Sequence, residues 1–290
     1  MVKIKDGRYG PMMFLESDNI IGKCLDAYGE SHFHEVELLR QLVKPGDVVI
    51  DAGANIGVIT VPLAQAVGKE GYVVALEAQP FIYNILCGNL ALNNLQNVQP
   101  FNRAVAERSG KLAFMPEIDY TEDLNYGGVL LASVFNTKDS AGRASSRPIP
   151  TITIDDLNLA KPSFIKIDVE GMEVMTLAGG INTIRRAKPI MYIEFIAGRE
   201  EILIALRDLG YQWKLHEPPF FNEDNFLKHK QDVLANEQGI GMISSDLLCW
   251  HPDNPAKAES PYFVDFEKGL HPRHRAILKI RDKVYGTGTT

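Results

Sequence analysis

The chain has 290 residues, 45% of them hydrophobic and 23% charged, a composition that fits a globular protein able to bury a large core without disulfides or a structural metal. Its formal charge of −7 argues against the broad basic surface on which proteins track nucleic acid. Three widely spaced cysteines (Cys24, Cys87, Cys249) make neither a disulfide framework nor a zinc cluster, and no apolar run has the length of a signal peptide core or a membrane span, so a cytoplasmic protein is expected.

Along the chain, short apolar runs alternate with amphipathic stretches, the pattern of βα units around a parallel sheet. A lead-in with one helix (His34–Val43) fills residues 1–43. Lys44-Pro45-Gly46-Asp47 then turns the chain into a first strand, Val48–Asp51, followed by a helix over Ile56–Val67. The next strands fall at Tyr72–Glu77, Val98–Val105, Phe164–Asp168 and Ile190–Phe195, with helices at Pro80–Leu92, Glu173–Ala187 and Arg199–Leu209. Continuous rather than alternating apolar runs suit strands covered on both faces. Residues 119–150, rich in Ser, Gly, Asn and Asp, interrupt the alternation and predict a loop or small β excursion over the active edge of the sheet. Tyr211–His216 and Gly241–Trp250 predict an antiparallel pair closing one edge. A core over 44–250 and an extension over 251–290, with a frayed tail at Arg281–Thr290, complete the expected division.

The most informative stretch is Val48-Val49-Ile50-Asp51-Ala52-Gly53-Ala54-Asn55-Ile56-Gly57, an apolar strand that enters a glycine-containing turn and opens a helix. Gly53 permits a tight turn and close approach of a ligand, and Gly57 is expected to let the helix pack against the strand. The spacing is neither the G-x-G-x-x-G of dinucleotide sites nor the Gly-Lys-Ser/Thr of a phosphate loop, which disfavours a dinucleotide-dependent oxidoreductase. An acid beside the glycines suits an amine-bearing ligand better than a pyrophosphate. One βαβ unit later Glu77 ends its strand, where a carboxylate can accept both hydroxyls of a ribose. Loop and acid together point to a nucleoside-type cofactor, and S-adenosylmethionine answers that description.

The runs VVIDAGANIGVIT, VVALEAQP, FIKIDVEGMEVMTLAGG and MYIEF, in this order, resemble the FkbM family of methyltransferases from about Ile20 to Trp250. The resemblance implies a Rossmann-like class I methyltransferase fold: a seven-stranded, mostly parallel sheet with helices on both faces and an antiparallel C-terminal edge. It implies methyl transfer to oxygen, less often nitrogen, frequently on sugars or natural products. Carried onto this sequence, the cofactor residues are Asp51, Gly53, Asn55, Gly57 and Glu77, with flanking Ile56 and Ala78, and with Ala104 beside the adenine.

Asp51, Glu77, Asp168 and Glu194 are acids at strand ends, where ligands bind in open α/β sheets. Lys166 and Asp168 share a strand face, so Lys166 is expected either to pair with a carboxylate or to act in catalysis. Asp168 is expected near the methyl-donor sulfur or the acceptor hydroxyl. Methyl transfer to a hydroxyl calls for a general base, for which Asp168, Glu194 and His216 are the candidates in that order. Asp168, Glu170 and Glu194 are a conceivable oxygen-ligand set for a divalent ion, but their spacing does not demand one, and no metal site is assigned. Glu173 reads as a helix N-terminal acid. His32 and His34 read as helix-start residues, with Ser31 as N-cap and Glu35 in the first turn. Pro218-Pro219-Phe220-Phe221, Trp213 and Trp250 read as core. The expected partner is a small-molecule or glycan acceptor rather than nucleic acid. The alternatives are a nitrogen or lipid-linked glycan acceptor, and a catalytically silent S-adenosylmethionine-binding module.

Overall fold

A computed structural model describes residues 1–131, 133–134, 146–195 and 199–264. The central sheet has seven strands: β3 (Val48–Ala52), β4 (Tyr72–Glu77), β5 (Val98–Asn102), β10 (Phe164–Ile167), β11 (Ile190–Glu194), β12 (Gln212–His216) and β13 (Asp246–Trp250). Their order is β12-β13-β11-β10-β3-β4-β5, and only β13 runs antiparallel to its neighbours. The doubly wound sheet and its antiparallel C-terminal edge are therefore present as expected.

Alternate residues of each strand feed two separate cores. Val49, Val73, Phe164, Tyr192 and Leu248 pack against α1 (Ile21–Tyr28), α2 (Phe33–Leu42), α3 (Thr60–Val67) and α4 (Pro80–Leu92). Ile50, Val74, Ile165, Ile193 and Leu247 pack against α5 (Glu173–Gly179), α6 (Ile181–Ala187) and α7 (Glu200–Asp208). Burial on both faces explains why the strands read as unbroken apolar runs.

Several element boundaries differ from the sequence reading, each for a local reason. The Val98–Val105 run breaks at Arg103; β5 is an edge strand, which tolerates Pro100, and β6 (Ala104–Val105) leaves the sheet to pair with β9 (Ser146–Ile152). With β7 (Leu112–Pro116) and β8 (Ser133–Val134) these form a four-stranded side sheet, of which only β8 and the first part of β9 fall within 119–150. Residues 132 and 135–145 of that segment lie outside the described residues. The long helix expected over Glu173–Ala187 divides at Gly179-Gly180, where Gly180 leaves helical geometry (φ −112°, ψ 6°) and Gly179 packs so closely that a Cβ would come 2.1 Å from the Ala106 carbonyl oxygen. The helix after β3 starts only at Thr60, since Gly57 has φ +94° and keeps the preceding turn open. Gly57 faces Leu86 of α4 rather than the strand, at 2.9 Å from the position of its missing Cβ.

The lead-in holds more than a helix. β1 (Val2–Gly7) and β2 (Gly10–Leu15) form an antiparallel hairpin, and α1 follows it. A lone two-stranded hairpin is marginal in water, and here Asn89 of α4 supports it. The buried Asn89 side chain accepts from the Met13 N–H (2.6 Å) and donates to the carbonyls of Met13 (2.9 Å) and Ile56 (2.7 Å). One amide thus joins the hairpin, α4 and the glycine loop. At the other end, Ser260–Val264 return beside β12, with Val264 N–H donating to Leu215 and Glu217 N–H to Tyr262. The tail Arg281–Thr290, like the rest of 265–290, lies outside the described residues.

Asn89→Ala leaves three backbone groups without their partner and should lower stability by about 2–4 kcal/mol. A urea unfolding curve with an unmoved midpoint would show that Asn89 does not hold hairpin and glycine loop together.

Candidate functional site

The carboxyl ends of the parallel strands and the start of β13 meet at one edge around a cavity of about 510 Å³. Its floor is the turn after β3. Gly53 (φ +84°) sits so close to the end of β10 that a Cβ there would lie 1.6 Å from the Asp168 carbonyl oxygen, and only glycine fits. Asn55 follows in the left-handed region (φ 49°), with its side-chain oxygen accepting the N–H of Ile56 at 2.7 Å. That conformation is open to Asn at little cost, and it turns the Asn55 N–H onto Glu77 Oε2 at 2.9 Å.

Glu77 is buried on the cavity wall, and its other oxygen accepts the Gln79 N–H at 2.7 Å. Burial pushes this carboxyl up to about 7, against the pull of the two N–H donors. Each carboxylate oxygen keeps a further lone pair for a ligand hydroxyl. Gln79 also donates to the Tyr126 carbonyl at 2.6 Å, tying the 119–131 segment to the end of β4. Asn125, Gly127, Val129 and Leu131 of that segment line the cavity.

On the other side stands a buried cation. Lys166 and Asp51 are direct partners in the β10–β3 register and occupy the same sheet face. The Lys166 ammonium donates to Asp168 Oδ2 (3.0 Å) and to the Gly53 carbonyl (3.2 Å), and lies 3.7 Å from Asp51 Oδ1. Burial alone would lower this ammonium, but Asp168, Asp51 and Glu35 override it and hold it above its ordinary range. Asp51 is completely buried and accepts the Thr60 hydroxyl at 2.6 Å. Burial raises its carboxyl, with Lys166 and Thr60 opposing.

Beyond Lys166 the same face turns acidic. Glu194 and Asp246 are direct partners across β11 and β13, and both line the cavity with Asp168, Glu170 and Glu35. Carboxylate oxygens of Asp168, Glu170 and Glu194 lie within 4.8 Å of one another. Burial comes first among the causes that push Glu194 up to about 9 and Glu170 and Asp246 up to about 7; repulsion from Asp168 adds to each. Glu170 has φ 47° and Gly171 φ +95°, the sharp turn expected there. Glu173 opens α5, accepts the Gly171 N–H at 2.9 Å and pairs with Arg199, as a helix N-terminal acid should.

Of the residues singled out from the sequence, Gly53, Asn55, Glu77, Ala78, Ala104, Lys166, Asp168 and Glu194 all line the cavity. Asp51 does not: its carboxylate is turned to Thr60 and Lys166 beneath the floor. Ile56 and Gly57 are also off the wall, because Ile56 packs into the core and Gly57 against α4. His216 ends β12 fully buried and away from the wall, its ring hydrogen-bonded to the Tyr192 hydroxyl (2.7 Å) and the Ser260 hydroxyl (2.8 Å). A base so enclosed has no route to an acceptor in the cavity. Burial lowers it to about 4.

Four wall residues carried no clear sequence signal: His32, Glu35, Gln79 and Asp246. His32, not Ser31, precedes α2, in the left-handed region at φ 54°, and the Ser31 hydroxyl bonds its Nδ1 at 2.8 Å. Its ring sits 4.5 Å from that of Phe220, and burial lowers it to about 4. Phe220 therefore serves both a small core with Cys24 and Tyr28 and the cavity wall. The spacing Ser31-His32-Phe33-His34-Glu35 contained the signal, but only tertiary packing shows which of its polar residues turn inward.

The sequence profile of the methyltransferase FkbM domain matches residues 51–213, more than half of the chain, spanning the glycine loop, Glu77, Lys166, Asp168 and Glu194. The chain belongs to the FkbM methyltransferase family. A curated relative, the tRNA(Phe) (4-demethylwyosine(37)-C(7)) aminocarboxypropyltransferase of Methanocaldococcus jannaschii, is 36% identical over 73 residues, 25% of this chain and 29% of that protein. The chain thus matches less than a third of that relative's length. Among solved structures, methyltransferase FkbM from Methylobacillus flagellatus KT superposes with a TM-score of 0.43 at 18% identity, covering 71% of this chain and 44% of that one. The SAM-dependent O-methyltransferase of Thermotoga maritima gives 0.45 at 14% identity, covering 89% and 79%. In this FkbM methyltransferase no helix among the described residues is long and apolar enough to cross a membrane.

The raised Glu194 carboxyl has a consequence for stability. The folded chain retains a proton that the unfolded chain releases above about 4.5, so this contribution is complete below that pH and is lost as pH rises through about 9. Without divalent ions, stability should fall between pH 7 and 9, after Glu77, Glu170 and Asp246 have ionised. Glu194→Gln should flatten that fall in urea titrations, and an equal slope in both proteins would exclude Glu194 as its source.

Proposed function

We propose that this chain is an S-adenosylmethionine-dependent O-methyltransferase acting on a sugar hydroxyl or a related small natural product. The observation that carries the cofactor assignment is Glu77: a buried carboxylate on the cavity wall, oriented by the N–H groups of Asn55 and Gln79. Its remaining lone pairs suit the two hydroxyls of a ribose. Ala78 and Ala104 beside it offer a small apolar wall for the adenine.

When bound, S-adenosylmethionine supplies an electrophilic methyl group on a sulfonium. The chain's own part is alignment and proton handling, and alignment of the reacting groups removes much of the barrier in such a displacement. Asp168 is the group proposed to accept the acceptor's hydroxyl proton. Lys166 holds its Oδ2 and fixes its direction, a positioning role shared with Asp51. Glu194, protonated near neutrality, is a poorer base and suits hydrogen-bond donation to the acceptor.

The small neutral acceptor is favoured over nucleic acid by the charge of the cavity's far end. Glu35, Asp168, Glu170, Glu194 and Asp246 meet there, and the one cation among them, Lys166, is already shared by Asp168, Asp51 and the Gly53 carbonyl, so this end offers a phosphate little to neutralise it. A nitrogen acceptor is the second reading, since the same acids would attract an ammonium group.

Calorimetric titration with S-adenosylmethionine and S-adenosylhomocysteine tests the cofactor. Glu77→Ala should weaken binding by about 1–3 kcal/mol, the cost of leaving ribose hydroxyls unmatched. Unchanged affinity removes the ribose assignment, and no binding to the folded wild type removes the cofactor assignment and leaves only the fold. In assays with labelled methyl donor and a panel of sugars, Asp168→Asn should cut turnover far more than cofactor affinity. Wild-type turnover in that variant would remove Asp168 from the mechanism.

A further inference from the structure

The acidic end of the cavity has an imbalance that Lys166 does not cure. Its ammonium is already divided among Asp168, Asp51 and the Gly53 carbonyl, and the nearby Arg199 is engaged by Glu173. Two buried carboxylate oxygens at this end, Glu194 Oε2 and Asp246 Oδ2, have no hydrogen-bond partner. Asp246 is only 5% exposed, lines the cavity and stands directly opposite Glu194 in the β11–β13 register, so both side chains leave the sheet on the same face. An orphaned buried carboxylate oxygen costs free energy unless a donor or cation meets it.

We propose that Asp168, Glu170 and Glu194 form a binding site for one divalent cation of the magnesium or manganese class, with the buried Asp246 carboxylate lining the same cavity opposite Glu194. One oxygen from each of the three lies within 4.8 Å of the others. An ion with metal–oxygen distances of about 2.0–2.6 Å spans such a set with small side-chain rotations. All three ligands are oxygens, the set that magnesium, calcium and manganese prefer over zinc or copper. The three arrive from two adjacent strand ends: Asp168 and Glu170 follow β10, and Glu194 closes β11. Glu170 is held inward by the tight Glu170-Gly171 turn. The ion would rest where an acceptor must enter, and this part of the proposal rests on the methyltransferase reading. Bound there, it would hold an acceptor oxygen and lower the pKa of its hydroxyl, taking the place of the hydrogen bond that protonated Glu194 offers the acceptor when no ion is bound. The ion site itself stands on the carboxylates alone.

The test is a manganese(II) titration of the chelator-treated full chain, followed by electron paramagnetic resonance of the free ion, with magnesium as competitor. The expected result is one saturable site with Kd below about 1 mM, displaced by magnesium. Glu170→Gln and Glu194→Gln should each weaken it at least about tenfold, the loss of one charged ligand. Both are isosteric, relieve repulsion and should keep S-adenosylmethionine affinity, which serves as the folding control. No saturable manganese binding in wild type overturns the proposal, as does binding that both variants leave intact. Saturation by methylammonium in place of manganese also overturns it and favours an amine acceptor. Manganese binding without S-adenosylmethionine binding would keep the ion site and reject the methyltransferase reading; the reverse pattern would do the opposite.

Discussion

The interaction on which the site depends is the buried contact of Lys166 with Asp51 and Asp168. A lysine in the middle of a parallel strand is costly to bury, and only its carboxylate partners make it tolerable. The contact is also a geometric lock. Lys166 joins β10 to β3 at neighbouring positions of the sheet, and its bond to the Gly53 carbonyl fixes the turn that floors the cavity. Gly53 in turn nests against the Asp168 backbone, where no side chain has room. Floor and far wall are therefore set by the same few atoms.

From that lock the two ends of the cavity diverge in character. Toward β4 the wall is small and apolar with one oriented carboxylate, Glu77, a shape and chemistry matched to a nucleoside. Toward β11 and β13 it becomes a row of acids that face one another across a narrow space. The sheet register produces this row: Glu194 opposes Asp246, and Asp246 opposes His216 on the next strand. His216 escapes the row only because Tyr192 and Ser260 draw its ring into the core.

The sheet was legible in the sequence because strands buried on both faces are continuous apolar runs bounded by turn residues. The acids at their ends were legible for the same reason: a carboxylate closing an apolar run has few structural uses. What the sequence concealed depends on contacts distant along the chain. β1 exposes Val2, Ile4 and Asp6 and half-buries its lysines, a pattern that does not mark it as part of the core, and its support comes from Asn89, more than seventy residues away. Asp51 belongs to the most readable motif, yet whether its carboxylate meets ligand or lysine depends on where Lys166 lies. His216 and His32 are the sharpest contrast. The first closes a strand in the right place but is turned inward; the second precedes a helix without distinction and reaches the wall through an unusual backbone angle.

The acidic row also bears on which substrates this scaffold can hold. A fold shared across many transferases does not name an acceptor; what the structure fixes is a cavity end lined by acids with Lys166 as their shared cation. Glu194, which burial pushes up to about 9, can donate as well as accept a hydrogen bond there. The acids of this wall also connect to the floor: Asp168, which lines it beside Glu170 and Glu194, is held by the same lysine that bonds the Gly53 carbonyl, so the two ends of the cavity share one electrostatic anchor.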